Sequence, residues 1–508
     1  MIEMRRDTKQ QMKQVFIMPE SLPLFLSRRL LLLLLLVTAV FTTNYLRIGI
    51  ARVLYPYDLD FIEDGMLMQS WQVAQEQPVF VPPNADFVPQ VYMPFYTWLG
   101  GQLFKVTGPV FWPLRLLSLS ATLATAVLLA TITRQESGDK WLAFMVAGLF
   151  LAGYRLAGGW YDLARVDALF VFLALAGVTA AVYGTSDWGM MAAGLLLGLA
   201  FLTKQHGLLL AMVVAGYLLL RRQWRVGLFI AVFGLITAVP LLLLQHNSQG
   251  WLAYYVITIA YASPLAVWAW PVLGGMALAG GAVLGLFWWC GWWDWLRQQP
   301  WPMFVAAAVF ITISGMASVG GNLNNLILGY AFFCLLPAIV VKELPRLSAR
   351  VWKVIRPWLP LAILLQFALT IYNPLHMPSQ FVPTRAMRQA GDAFIGRVTA
   401  VNGDVLVMLH PAYALLANKT PSVHVQSLWH SRLRGQEPLP PDLVSRIENQ
   451  EYAVIISDQS PFFETEPALL ALIEANYRQD TILTAQESAP TLSGLITRPQ
   501  IIYVPRER

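Results

Sequence analysis

Charged residues are scarce in this sequence of 508 residues: only 13% are charged, and 57% are hydrophobic. Soluble domains carry roughly 25% charged residues. The scarcity excludes an ordinary soluble protein and predicts an integral membrane protein. The net charge of +6 does not indicate a nucleic-acid partner, because the basic residues cluster between hydrophobic segments, as they do in the inner loops of membrane proteins.

Cysteine is almost absent. The only two, Cys290 and Cys334, both lie in apolar segments, so neither a disulfide framework nor a zinc motif is predicted. Aromatic residues are abundant by contrast, with 19 Trp and 18 Tyr. Such side chains gather where a membrane protein meets the two membrane–water interfaces.

Hydrophobic segments long enough for membrane helices recur along most of the chain. A helix needs about 20 apolar residues to cross a bilayer. The basic residues before the first segment predict a cytoplasmic segment 1–29 and an uncleaved first span. About eleven spans are predicted, at 30–50, 111–133, 141–156, 167–184, 189–203, 207–220, 226–244, 271–290, 301–318, 326–341 and 357–372.

The apolar segment 91–106 is short and is interrupted by Pro94 and by Gly100–Gly101. Counting it as a span would place every later basic cluster outside, whereas an interfacial or re-entrant helix places them all inside. The charge pattern therefore predicts an outer loop over 51–110 with interfacial helices. The clusters are Arg134 and Lys140, then Arg221, Arg222 and Arg225, then Arg297, and finally Lys342, Arg346, Arg350, Lys353 and Arg356.

The composition changes after about residue 373. Short hydrophobic runs alternate with polar helical segments, which predicts a soluble α/β domain over 373–508. The fold class is therefore an α-helical polytopic membrane domain over 30–372 followed by this domain. An odd number of spans places the domain on the extracytoplasmic side. The predicted strands lie at 404–409, 452–457, 481–485 and 501–504, and a helix is predicted at 467–479.

The predicted topology gathers the unusual polar residues at the outer face. Ionisable groups at the edge of a bilayer are costly to desolvate, so their concentration at one face indicates a functional site. The first outer loop carries Asp58, Asp60, Glu63 and Asp64. The same face collects Arg115, Arg165, Asp167, Lys204, Gln205, His206, Asn322, Asn324 and Asn325.

The loop carboxylates admit two functional interpretations and one structural one. A carboxylate at the membrane edge can be a general base that takes a proton from an acceptor hydroxyl. Asp58 and Asp60 can instead belong to a metal-ligand set, although a D-x-D alone lacks the spacing of a calcium loop. The structural alternative is a solvated loop whose acids cap a helix.

The cationic residues have structural alternatives too. Arg165 and Asp167 form either an internal ion pair or part of a site. Lys204 either suits the carbonyl end of its helix or holds a phosphate. Arg115 either pairs with a loop carboxylate or binds phosphate, and His206 is either a proton carrier or a packed interfacial residue. The asparagines offer donors to hydroxyl-rich ligands or cap the helix that follows.

An ordered set of short motifs resembles one enzyme family. The motifs are Tyr92-Met-Pro-Phe-Tyr-Thr-Trp, Phe104-Lys-Val-Thr-Gly, Arg115-Leu, Glu63-Asp64-Gly65, Phe201-Leu-Thr-Lys-Gln and Gly320-Gly-Asn-Leu-Asn-Asn. Together they resemble the bacterial PMT-like (protein O-mannosyltransferase-related) membrane glycosyltransferases of the GT-C superfamily, which include lipid A aminoarabinose transferase. Asp167 is placed like the family's second acidic residue. Three positions depart from the family pattern: Glu63-Asp64 reverses the usual acid pair, Met93 replaces a proline and Gln205 replaces a glycine.

The resemblance implies transfer of a sugar from a polyprenyl-phosphate-linked donor to a lipid, glycan or protein acceptor at the outer face of the inner membrane. It implies a carboxylate base, Glu63 or Asp64, with Asp167 as a further catalytic residue. Lys204, Arg165 or Arg115 would stabilise the leaving phosphate. A direct displacement would invert the anomeric centre. The candidate substrate-binding residues are Asp60, Tyr92, Arg115, Arg165, Lys204, Gln205, His206, Asn322 and Asn325.

Some GT-C enzymes use a divalent metal and others do not, so the resemblance implies no definite cofactor and leaves a divalent metal open. Two other functions fit a multispan protein with charges near the membrane: a transporter or lipid flippase, and a non-catalytic subunit of envelope polysaccharide assembly. The sequence has no inverted repeat and no paired broken helices, which a transporter would favour.

Overall fold

The computed structural model of this protein describes residues 22–260, 293–318, 321–347, 378–459 and 466–507, with short pieces between 262 and 276 and between 361 and 368. The part up to residue 347 is helical, and the part from residue 378 contains a four-stranded sheet. The predicted spans 271–290 and 357–372 lie largely outside the described residues. So do Cys290, Gly320 and the basic residues at 350–356.

Most of the longer helices of the first part are apolar on all faces, which suits helices that are surrounded by lipid or by other helices. The predicted spans that fall within the described residues coincide with helices. The helices are Leu22–Val53, Phe61–Ala74, Phe95–Thr107, Phe111–Ser137, Lys140–Ala152, Val166–Tyr183, Asp187–Thr203, Gly207–Leu220, Val226–Asn247, Trp251–Ala253, Trp293–Gln298, Trp301–Ala317, Leu326–Phe333 and Leu336–Leu347. A π-helix follows at Tyr254–Ile259, and 3-10 turns lie at Gly153–Arg155, Leu323–Asn325 and Pro378–Phe381.

Within the described residues, five helices are long and apolar enough to cross a membrane: Arg29–Val53, Phe111–Ser137, Val166–Tyr183, Val226–Asn247 and Leu323–Glu343. Large leucines such as Leu36 and Leu242 are exposed on their outer surfaces, as expected of a surface that faces lipid. The chain is a multi-pass membrane protein.

The segment 91–106 forms a short helix, Phe95–Thr107, of 13 residues. At 1.5 Å per residue it is about 20 Å long, less than the roughly 30 Å of a bilayer's hydrocarbon core. It packs along Phe61–Ala74, the other short helix of the first loop. Its length alone does not decide its place, because Lys140–Ala152, at a predicted span, also has 13 residues, so the position of the segment at the membrane surface stays a prediction.

The C-terminal part is an α/β domain, as predicted. Strand β1 (Asp404–Val407) runs parallel to β2 (Tyr452–Asp458), which pairs with β4 (Pro499–Pro505) in the antiparallel sense. Strand β3 (Tyr477–Ile482) completes the sheet on the far side of β4, giving the order β1-β2-β4-β3. The helices around it are Arg385–Ala400, Ala412–Leu416, Val425–Ser431, Pro441–Glu448 and Pro467–Asn476.

The helix predicted at 467–479 ends earlier, at Asn476, and β3 begins at the next residue. Tyr477 is fully buried, and its hydroxyl donates to the carbonyl oxygen of Tyr452 at 3.0 Å. It also pairs with Pro505 across the sheet. These long-range contacts override the helical pattern of the sequence.

The C-terminal domain is fastened to the first outer loop by backbone hydrogen bonds. The amides of Leu492 and Ser493 both donate to the carbonyl oxygen of Leu59 at 2.9 Å, and the Val423 amide donates to that of Ala85 at 2.9 Å. Such bonds satisfy polar backbone groups that are buried where the two parts meet. The course of the first loop is therefore set by the membrane helices on one side and by this domain on the other.

Gly391 lies where the helix Arg385–Ala400 meets the first loop. A Cβ at this position would lie 2.2 Å from two ring carbons of Tyr57, and that ring cannot easily retreat because it stacks on Tyr413 at 5.7 Å. We expect Gly391→Ala to lower the stability of the detergent-solubilised protein by about 1–3 kcal/mol, as overpacking does. Thermal denaturation measures the change.

The matched control is Gly396→Ala in the same helix, where a Cβ would meet nothing within 4 Å. It should raise stability by about 0.4–1 kcal/mol, because alanine restricts the unfolded chain. Equal effects of the two substitutions would contradict the packing described.

Candidate active site

The four carboxylates of the first loop point in three directions. Asp60 caps the helix Phe61–Ala74 by accepting from the Ile62 amide at 2.8 Å. Glu63 and Asp64 are consecutive residues of that helix, so their side chains leave it about 100° apart. The carboxylates predicted as one group therefore belong to three separate sets of contacts.

Glu63 forms a buried ion pair with Arg115. Nε and Nη2 of the arginine donate to the two carboxylate oxygens at 2.9 and 2.6 Å. The carboxylate also accepts from the amides of Leu59 and Ala164, at 2.7 and 2.6 Å. The remaining arginine N–H groups donate to the carbonyl oxygens of Arg52, Tyr55 and Tyr57. All five N–H groups of Arg115 are used, so it has none left for a phosphate.

Arg165 joins three other residues beside the first loop. Its Nη1 lies 3.4 Å from both oxygens of Asp60, and its Nε lies 3.3 Å from Oδ2 of Asp167. Nη2 donates to the Tyr92 hydroxyl at 3.2 Å. The guanidinium also lies over the ring of Trp160, 5.1 Å from its centroid, an arrangement that stabilises a cation.

Asp167 lies in the first turn of the helix Val166–Tyr183 and pairs with Lys204, the residue directly after the next helix of the chain, Asp187–Thr203. Lys204 Nζ donates to Asp167 Oδ1 at 2.7 Å, and the Asn324 amide donates to the same oxygen at 2.9 Å. Lys204 Nζ also donates to Asn325 Oδ1 at 2.9 Å. Oδ1 is thus held by two donors, while within the described part of the chain Oδ2 has only the long contact with Arg165.

We call Asp60, Arg165, Asp167, Lys204, Asn324 and Asn325 the outer-face cluster, after the face at which the charge pattern of the sequence predicts them. A small pocket lies beside it. Its polar lining residues are Asp167, Lys204, His206 and the two asparagines, and its apolar ones are mainly Phe170, Ile311 and Leu328. A lining that combines charged and apolar side chains suits a ligand that has both an anionic group and a hydrocarbon part.

Asp60 belongs to the outer-face cluster, but Trp160 and the C-terminal domain cover its carboxylate. Oδ2 accepts from Trp160 Nε1 at 2.6 Å, and a Cβ on Gly494 of the C-terminal domain would lie 2.8 Å from the same oxygen. Burial raises the pKa of Asp60, although Arg165 opposes the shift. Asp60 therefore holds Arg165 in position and lies away from the pocket.

The remaining predicted residues have local roles. The Gln205 amide donates to the carbonyl oxygens of Val91 at 2.9 Å and Val256 at 3.4 Å, which ties two connecting segments together. Asn322 is exposed and caps the short turn that follows it. His206 lines the pocket, and its Nδ1 has no hydrogen-bond partner among the described residues.

Asp58 and Asp64 face the C-terminal domain and meet His410. Asp58 Oδ2 lies 2.7 Å from Nδ1 of this histidine, and Oδ2 of Asp458 lies 2.9 Å from its Nε2. The Tyr413 hydroxyl donates to Asp58 Oδ1 at 2.7 Å. We call Asp58, Asp64, His410 and Asp458 the domain-side cluster.

Charge governs the titration of this cluster. Burial works against ionisation of Asp58 and of His410. The attraction of Asp58 to His410 outweighs it, so the pKa of Asp58 is lowered, and the attraction of His410 to Asp458 and Asp58 raises the pKa of His410. Burial and the nearby Asp58 charge raise the pKa of Asp64 well above its usual range.

His410 and Asp458 were not predicted from the sequence. The available signal was a histidine directly after the buried strand predicted at 404–409.

No protein-family model matches this chain, and no curated protein matches it by sequence. Among solved structures it is similar to ArnT from Cupriavidus metallidurans in the apo state, with 14% identity and a TM-score of 0.55 over 92% of this chain and 97% of that one. The same protein bound to undecaprenyl phosphate gives 13% identity and a TM-score of 0.53, over 92% and 97% of the two chains.

A weaker likeness, with a TM-score of 0.42 and 12% identity, extends to the oligosaccharyltransferase AglB from Archaeoglobus fulgidus, over 87% of this chain and 73% of that one. The ArnT likeness covers almost the whole of both chains. It confirms the predicted fold class, a polytopic helical membrane protein with a C-terminal α/β domain, and shows that the fold is similar to that of ArnT.

The contacts of Glu63 predict a structural role rather than a catalytic one. We expect Glu63→Gln to destabilise the protein by about 3–5 kcal/mol, because it leaves the buried Arg115 without its counter-charge. Thermal denaturation in detergent measures this loss. Glu76→Gln is the control, since Glu76 lies just after the same helix in an exposed pair with Lys105 and should give no measurable change.

A Glu63→Gln protein with unchanged stability and no activity would contradict this role. It would return Glu63 to the position of the predicted base.

Proposed function

We propose that this protein is an integral-membrane glycosyltransferase that moves a sugar from a polyprenyl-phosphate-linked donor to a lipid, glycan or protein acceptor of the cell envelope. The observation that carries the proposal is the pocket whose lining combines Lys204 and Asp167 with the apolar side chains of Phe170, Ile311 and Leu328. The fold likeness adds support, because the similar ArnT structure binds undecaprenyl phosphate.

Lys204 is our candidate for holding the donor phosphate. Its ammonium lines the pocket and is bound by Asp167 and Asn325 at 2.7 and 2.9 Å, so it is already aimed where charge would develop on the leaving phosphate. A cation fixed in a water-poor site stabilises such charge more than a cation in water does. Phe170, Ile311 and Leu328 would contact the first units of the lipid.

Asp167 is our candidate for the general base among Glu63, Asp64 and Asp167. It alone of the three lines the pocket, and its Oδ2 has only one long contact, at 3.3 Å, with Arg165. The acceptor oxygen would attack the anomeric carbon while the carbon–oxygen bond to the phosphate breaks. The acceptor proton would go to Asp167, and the bonding electrons would leave with the lipid phosphate. One such displacement inverts the anomeric centre.

We also propose that the pocket faces the outside of the inner membrane. Arg115 and Arg134 lie on one helix and are about 29 Å apart along it, which is close to the thickness of the hydrocarbon core. Arg134 belongs to the basic clusters predicted to be cytoplasmic. Arg115 is next to the first loop, so the pocket would lie at the opposite, outer end.

The experiment incubates the purified full-length protein with candidate polyprenyl-phosphate sugars and measures free polyprenyl phosphate. We expect Asp167→Asn to lower the rate by at least about 100-fold, the usual contribution of a positioned base. Asp187→Asn is the control. Asp187 lies at the far end of the next helix in a partly exposed pair with Arg225, so its loss should leave the rate unchanged.

A wild-type rate in Asp167→Asn would remove Asp167 from the mechanism. A product with the donor's own anomeric configuration would contradict the single displacement. Lipid movement across vesicles without release of polyprenyl phosphate would favour the transporter or flippase alternative. Neither movement nor release would favour the non-catalytic subunit.

Lys204→Gln tests the phosphate contact. A hydrogen bond to a charged group contributes about 1.5–3 kcal/mol, so we expect kcat/KM for the donor lipid to fall by roughly 10- to 100-fold. Lys105→Gln, in an exposed pair with Glu76, should keep the wild-type kcat/KM. An unchanged kcat/KM in a folded Lys204→Gln protein would contradict the role given to Lys204.

A further inference from the structure

The domain-side cluster brings together three side chains that can ligate a metal. Asp58, Asp64 and His410 each offer one ligand atom, and these three atoms lie within 4.8 Å of one another. All three side chains are buried. Two belong to the first outer loop and the third to the C-terminal domain, so the cluster lies where these two parts of the chain meet.

Among the three potential ligand residues, one side-chain atom accepts no hydrogen bond from a donor in the described residues. Oδ1 of Asp64 accepts from the Ala412 amide at 2.9 Å, but Oδ2 has no hydrogen-bond partner among the described residues, although Asp64 is fully buried. This oxygen lies 4.0 Å from Nδ1 of His410. A buried carboxylate oxygen without a partner is costly. Its position beside a second carboxylate and an imidazole points to a cation between them.

The environment of His410 matches that of a metal-bound histidine. Its Nε2 lies 2.9 Å from Oδ2 of Asp458, the arrangement in which a carboxylate fixes the tautomer of a ligating histidine. At 2.7 Å from Asp58 Oδ2, Nδ1 carries a proton. Binding of the ion would displace this proton, and with Nε2 still protonated the Nδ1 lone pair would point at Asp58 and Asp64. Asp458 would therefore orient the ligand without touching the ion.

We propose that Asp58, Asp64 and His410 bind a divalent transition-metal ion, for which zinc is the best fit. A tetrahedral zinc ion with ligand bonds near 2.05 Å requires donor atoms about 3.3 Å apart. Nδ1 of His410 lies 2.7 Å from Asp58 Oδ2 and 4.0 Å from Asp64 Oδ2, so displacements below 1 Å would suffice. Calcium and magnesium fit less well, because they prefer six or more oxygen ligands.

The ion would fix the first loop to the C-terminal domain. The two carboxylate ligands bracket Asp60 and Glu63 in the sequence, so holding both ends of this stretch holds the start of the helix and the outer-face cluster with it. The role is structural and does not depend on the proposed transferase activity. It can be measured in protein to which no substrate is added.

The test uses the full-length protein, purified in detergent with a histidine-free tag, loaded with zinc and dialysed. We expect the wild type to retain about one zinc ion per chain by elemental analysis. Asp64→Asn keeps the acceptor for the Ala412 amide but loses a ligand, so its zinc affinity should fall by more than about tenfold. Asp458→Asn should lower it by about 10- to 100-fold through loss of the orienting bond.

Asp442→Asn is the matched control. Oδ2 of Asp442 accepts from the Ala85 amide at 2.8 Å, so it also joins the first loop to the C-terminal domain but lies outside the ligand set. It should bind zinc as the wild type does. A chelator should lower the melting temperature of the wild type and of Asp442→Asn and should leave that of Asp64→Asn unchanged. Cobalt(II) should give the visible spectrum of a tetrahedral site in the first two proteins only.

Three results would overturn the proposal: a wild-type protein that retains no zinc, an Asp64→Asn protein that retains as much as the wild type, or a wild-type melting temperature indifferent to chelator. A melting temperature that responds to pH but not to zinc would mean that a shared proton holds the carboxylates together. If Asp64→Asn does not fold, the chelator and cobalt measurements on the wild type still decide the question.

Discussion

The buried pair of Glu63 and Arg115 is the constraint on which the first loop and its contacts depend. Removing two charges from water is costly and is tolerated only when the remaining hydrogen-bonding groups are satisfied. Here the arginine also takes the carbonyl oxygens of Arg52, Tyr55 and Tyr57. These bonds fix the backbone that connects the first span to the short helix Phe61–Ala74. The directions of Asp58 and Asp60 follow from that fixed course.

The loop thereby separates two groups of charged side chains. Asp60 points to Arg165 and the pocket side, and Asp58 points to His410 and the C-terminal domain. The carbonyl oxygen of Leu59, between them, accepts from two amides of that domain. Docking of the domain therefore covers Asp60 while the pocket beside Asp167 stays open. One short loop links the membrane helices, the pocket and the C-terminal domain.

Features that depend on local sequence patterns were predicted correctly. Features that depend on contacts between residues far apart in the sequence were missed. Span positions follow from the length of apolar runs, and the grouping of Asp167, Lys204 and Asn325 follows from counting spans. The division of the loop carboxylates depends on where a helix starts and on an arginine 52 residues away. His410 contacts Asp58, which is 352 residues away in the sequence, and no periodic sequence pattern predicts such a contact. The end of the helix at Asn476 was missed for the same reason, because sheet pairing determines it.

The charge balance of the outer-face cluster suggests how the proposed reaction would be ordered. Without a donor, two cations, Arg165 and Lys204, offset two carboxylates, Asp60 and Asp167. In the proposed reaction an arriving phosphate competes with Asp167 for the ammonium of Lys204. The positive charge of Lys204 then stabilises the Asp167 carboxylate less, so Asp167 accepts a proton more readily than before. The base would become effective only once the donor is bound, which would keep the carboxylate from assisting other reactions in the empty pocket.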